Sequence, residues 1–161
     1  MSIAKRGFSN QARNLWGSLI WHGLMLLFAA YSSTAIAQAA EVSAENARIR
    51  LLPGDLPLAG YVKIVNHSSA PIRLVGASSP AFDMIHVHRS VEEGGHSRMV
   101  SVDGVSIPAD GAAELQPGGY HLMLMSRARA LKVGDEVPIT LIFDDDTRVT
   151  VPFAVRPAGT H

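Results

Sequence analysis

The chain has 161 residues, 47% of them hydrophobic, enough for one domain with a buried core and too apolar for a disordered polar tail. Its fourteen basic and fourteen acidic residues cancel, which excludes the basic stripe of a nucleic-acid-binding surface, and no cationic amphipathic helix offers a footing on a membrane. Cysteine is absent, which excludes a disulfide scaffold, a thiol nucleophile, a Cys-based zinc site and redox exchange through a Cys pair.

The first element in chain order is a leader. Lys5, Arg6 and Arg13 precede an apolar run from Leu19 to Ala30, and Ala35-Ile36-Ala37 follows, the order of a secretory signal peptide cleaved before Gln38. The apolar run is shorter than the roughly 20 residues of a spanning helix, and Trp21-His22 interrupts it, so a cleaved leader over residues 1–37 is expected rather than a membrane anchor. The remaining residues, 38–161, hold eleven basic and fourteen acidic side chains, a net charge of −3, and no tryptophan.

From about Arg48 onward, short apolar or alternating runs are separated by Gly, Pro, Asn and Asp. They predict strands at Ala47–Leu52, Gly60–Asn66, Ile72–Ala77, Met84–Arg89, Met99–Val102, Ala113–Leu115, His121–Met125, Val137–Phe143 and Arg148–Val155. No window sustains the 3.6-residue period of a helix. So many short strands must fold as two packed sheets or a closed barrel, because a single sheet would leave an apolar face in water. The expectation is one all-β domain with its core over about 48–155 and no internal repeat.

Period-two alternation puts Ile85 and Val87 on one face of their strand and Met84, His86 and His88 on the other; it separates Leu122 and Leu124 from His121, Met123 and Met125 in the same way. A Gly-rich turn after the first of these strands leads to Met99. Taken singly, a strand Met is usually core and a lone His is usually a satisfied polar group. Here all four methionines beyond the leader lie between positions 84 and 125, interleaved with histidine. Neutral thioether and imidazole donors favour copper(I) over zinc, calcium or magnesium, and without a thiolate the set cannot be a blue-copper electron-transfer centre.

His88 is followed by ten residues, Met99, twenty-one residues and then His121-Leu122-Met123. In this spacing, in Leu74-Val75-Gly76-Ala77-Ser78-Ser79-Pro80, in Ile107-Pro108, and in Leu115-Gln116-Pro117-Gly118-Gly119-Tyr120 before His121, the chain resembles the periplasmic copper(I) chaperones called PCuAC. The resemblance covers about 48–155. It implies a cupredoxin-like Greek-key sandwich or barrel that holds one copper(I) through His88, Met99, His121 and Met123. It also implies no catalytic step, and transfer in the periplasm to a transient partner, cytochrome c oxidase subunit II or one of its assembly factors. Family members often carry a His- and Met-rich tail; after Val155 this sequence offers only His161. His86 departs from the motif, which needs one His at this strand. It is then a spare donor, a group behind the ligands or a solvent-facing side chain. His96 in the Gly-rich turn and Met125 are further spare donors, Met84 belongs to the core or the site rim, and His67 is expected at the surface. A passive copper buffer, a copper-dependent oxidoreductase and an adhesion-type sandwich are the competing readings.

Overall fold

The computed structural model describes residues 41–159, and every regular element among them is a β-strand. The expected leader and its cleavage position lie outside the described residues. The strands are β1 Val42–Leu51, β2 Leu58–Asn66, β3 Ile72–Ser78, β4 Phe82–Glu93, β5 His96–Ser101, β6 Val105–Ile107, β7 Gly111–Leu115, β8 Tyr120–Arg127, β9 Glu136–Phe143 and β10 Arg148–Pro157. They join in the order β5-β4-β8-β2-β1-β10-β9-β3-β6, with β7 pairing with β2 beyond the end of the β2–β8 ladder. β1 and β10 run parallel and the other pairs antiparallel. Strands from far along this order, carrying Ile49, Leu58, Leu124, Phe143 and Phe153, bury their side chains in one core, so the sheet curls over itself into a sandwich.

The predicted strands are present, with instructive differences at their ends. β1 starts at Val42, five residues before the expected start, because a bulge between Glu45 and Arg48, with Asn46 at φ 55°, breaks the alternation that would have announced it. β6 was not expected. It is three residues long, too short to display a period, although Val105 and Ile107 are buried on either side of exposed Ser106. Gly104, which leads into it, has φ 152°, and a Cβ there would run into the Leu74 carbonyl oxygen.

The β4–β5 hairpin matters most for the site. Gly94 and Gly95 both adopt positive φ, 61° and 79°, the two-residue turn that matches the twist of an antiparallel pair. This tight turn extends β4 to Glu93, starts β5 at His96 and fixes the register, so that Met99 falls opposite Ser90 and Ser101 opposite His88. On the other side of β4, β8 is held between β4 and β2.

Candidate metal centre

Three consecutive same-face pairs cross from β4 to β8: His88 opposite His121, His86 opposite Met123, and Met84 opposite Met125. The opposite face of β8 explains the arrangement, since Leu122 and Leu124 are fully buried in the core and the residues between them must point the other way. Met99 joins this donor face from β5, diagonal to His88, because its partner Ser90 lies two residues beyond His88 on the same side of the strand. Met99, His121 and Met123 together line a cavity of about 250 Å³, whose remaining wall is Arg50, Leu52, Leu56, Pro57, Leu58 and Ala59. Three of the four expected ligands line this cavity, and His88 stands beside it as the cross-strand partner of His121. His121 lies deepest, 4% exposed, and Met99 is the outermost at 57%.

The ring nitrogens are the informative atoms. His121 Nδ1 lies 3.2 Å from the Gly119 carbonyl oxygen, which can only accept, so Nδ1 carries the proton and Nε2 the lone pair. That Nε2 is buried without a hydrogen-bond partner, and so is His88 Nδ1. The two rings lie 5.9 Å apart between centroids with their planes tilted by 59°. Burial holds the His88 imidazole below the ordinary histidine value, and the neighbouring His121 and His86 push it the same way. A buried polar atom without a partner costs about 1–3 kcal/mol. Two such atoms, aimed at a face that also carries two thioethers, suit a soft cation that accepts lone pairs. Among the described residues no group of three or more His, Cys, Asp or Glu is placed to hold a metal, so imidazole alone does not complete the set.

The remaining donors separate. His86 is exposed, and its ring stands 6.4 Å from that of His88, one pair down the ladder. Met125 is half-buried, while Met84 is 49% exposed and lies on the rim of the donor face rather than in the core. His96 is not brought to the site. It opens β5 opposite Glu93, five residues along β4 from His88, about 17 Å at the rise of a strand. His67 is exposed, with its Nε2 2.9 Å from the Ser43 hydroxyl. Sequence reasoning missed Arg50, whose Nε is buried without a partner in the cavity wall. It reaches the site through a non-local row, pairing with Ala59, which pairs with Met123, and no local pattern announces that neighbourhood.

The LpqE-like family matches residues 42–155, from the first residue of β1 into β10. The chain belongs to this family. Lxx21020 of Leifsonia xyli subsp. xyli (strain CTCB07) is 35% identical over 98 residues, 60% of this chain and 58% of the relative. RP573 of Rickettsia prowazekii (strain Madrid E) is 33% identical over 92 residues, 56% of this chain and 51% of the relative. The chain spans between half and three-fifths of the length of these curated relatives. Among solved structures, the copper-bound PCuAC domain from PmoF2 is 25% identical at a TM-score of 0.61, over 73% of this chain and 93% of that domain. The copper(I) form of DR1885 from Deinococcus radiodurans is 36% identical at a TM-score of 0.60, over 78% of this chain and 85% of that one. This LpqE-like chain is therefore a PCuAC domain with the cupredoxin-like β fold.

Proposed function

We propose that this protein binds one copper(I) ion through His88, Met99, His121 and Met123 and delivers it by ligand exchange to a partner protein. The observation that carries the reading is the pair of buried, unpartnered ring nitrogens, His88 Nδ1 and His121 Nε2, set beside two thioethers. All four donors are neutral and soft or borderline, which suits copper(I). Solved relatives of the same fold hold copper: the PmoF2 domain was determined copper-bound and DR1885 in its copper(I) form. Nothing in the donor set calls for a catalytic step. Release is helped by the gradient of exposure, because Met99 is open to solvent while His121 anchors the ion from below.

We place this work in the periplasm, a reading supported by the order of basic, apolar and small residues over 1–37, which is that of a cleaved secretory leader. The acceptor is cytochrome c oxidase subunit II or one of its assembly factors, as in the chaperones that the motif resembles. Anaerobic titration with copper(I) against a competing chelator tests the binding. One tight equivalent is expected, lost in His121→Ala; wild-type affinity in that variant would sink the reading. Copper transfer to apo subunit II then separates a chaperone from a buffer with the same ligands, since a buffer retains its metal in that assay.

A further inference from the structure

The inner four donors do not exhaust the ladder. Below the His88–His121 pair lie His86 opposite Met123 and then Met84 opposite Met125, all on the same face of β4 and β8. Direct cross-strand partners hold their Cβ atoms about 5 Å apart, and successive same-face pairs are about 7 Å apart along the strand. The 6.4 Å between the His86 and His88 rings fits that step. His86, Met123, Met84 and Met125 therefore occupy the corners of a small quadrilateral of neutral donors, and the three flexible bonds of each Met let its sulfur swing to the centre. Among the described residues the His86 ring has no hydrogen-bond or ion-pair partner; its contact is the ring of His88.

Two trends run along the ladder together. Exposure rises from 4% at His121 to 49% at Met84. The donors change from two nitrogens, through one nitrogen and one sulfur, to two sulfurs. The donors of β4 and β8 thus grow softer and more exposed away from His121, while Met99, 57% exposed, reaches the inner centre separately from β5.

We infer that His86, Met84 and Met125, with the thioether of Met123, form a second, outer copper(I) site that passes the ion to and from the inner centre. It rests on the copper(I) reading of that centre. Met123 belongs to both quartets, so an ion can exchange His88, His121 and Met99 for the outer donors without leaving the protein. No oxidation or proton transfer is involved. The step replaces neutral ligands by neutral ligands on a monovalent ion.

The test is an anaerobic titration of the protein with copper(I), followed by NMR of methyl-labelled methionine. The first equivalent should move the Met99 and Met123 methyl signals and leave Met84 and Met125 in place. With Met123 engaged by the first ion, the second should bind through His86, Met84 and Met125 and move the Met84 and Met125 signals. The double variant Met84→Leu/Met125→Leu, which conserves side-chain volume, should bind one equivalent instead of two with the inner affinity unchanged. Met84 and Met125 signals that stay fixed past two equivalents would overturn the outer site, as would their moving together with Met99 at the first. Failure of the inner reading is distinct: Met99 and Met123 would then not respond to the first equivalent.

Discussion

His88 on β4 and His121 on β8 are direct cross-strand partners, and each buries one ring nitrogen that has nothing to bond. A buried polar atom without a partner costs about 1–3 kcal/mol, and a metal bound at such an atom removes that cost. Copper(I) is expected to raise the melting temperature. At a free concentration a hundred times the Kd the gain is about 2.7 kcal/mol, since binding to the native state alone shifts the unfolding equilibrium by mass action. Thermal melts with and without copper(I) measure it. His121→Leu should lose most of the copper-dependent shift while still melting cooperatively, and a shift equal to that of the wild type in this variant would place the tight site elsewhere.

The tautomer of His121 is a second expected outcome. Because the Gly119 carbonyl accepts from Nδ1, the proton is fixed on that atom and the lone pair on Nε2. Nitrogen-15 NMR of the metal-free protein should report an Nδ1–H imidazole at His121, and copper(I) should move Nε2 more than Nδ1. An Nε2–H signal would contradict the assignment of the metal-facing atom.

The sequence made the donor faces legible because Leu122 and Leu124 alternate with His121, Met123 and Met125, and period two needs no tertiary information. The set of four candidate ligands came from the resemblance to the copper(I) chaperones, whose motif spacing the chain shares. What it could not give depends on non-local pairing: β8 lies between β4 and β2, and this puts Arg50, Leu56 and Pro57 beside His121 and buries it. His96 shows the converse. It is near Met99 in the chain, but the Gly94-Gly95 turn sends it to the far end of the hairpin. The bulge at Asn46 and the three-residue β6 escaped because neither spans enough residues to repeat the two-residue alternation of a strand.

A pH dependence follows from His88. Its imidazole is held below the ordinary histidine value of 6.5, first by burial and then by the neighbouring His121 and His86. Below about pH 6.5 the unfolded chain takes up a proton at this position that the folded chain still refuses. Stability of the metal-free protein is therefore unaffected by this group above that pH and falls as the pH drops through the folded-state value. Melts between pH 8 and pH 5 should show this decline, flattened in His88→Gln. For the same reason His88 stays neutral and able to ligate to lower pH than a free histidine. Its contribution to copper(I) affinity should begin to fall only below pH 6.5, by about one decade per pH unit once protonation sets in.

The duplicate histidine gives the sharpest comparison of variants. His86 and His88 share a strand face, and spacing alone leaves open whether one can replace the other. Register answers it in geometric terms: His88 faces His121, whereas His86 faces Met123 one pair lower, with its ring 6.4 Å away and exposed. Taking over the position of His88 would require His86 to reach past its own partner Met123 to the next same-face pair of the ladder. Losing a group that merely supports a ligand already costs 10–100-fold in metal affinity, so losing the ligand itself should cost more than about a hundredfold. His88→Ala is therefore expected to weaken the first copper(I) equivalent by more than about a hundredfold, and His86→Ala to leave it within about threefold. The double variant should match His88→Ala at the first equivalent, as measured against a competing chelator. If His88→Ala instead kept near-wild-type affinity that disappeared only in the double variant, His86 would be a working substitute and the two histidines would serve one centre.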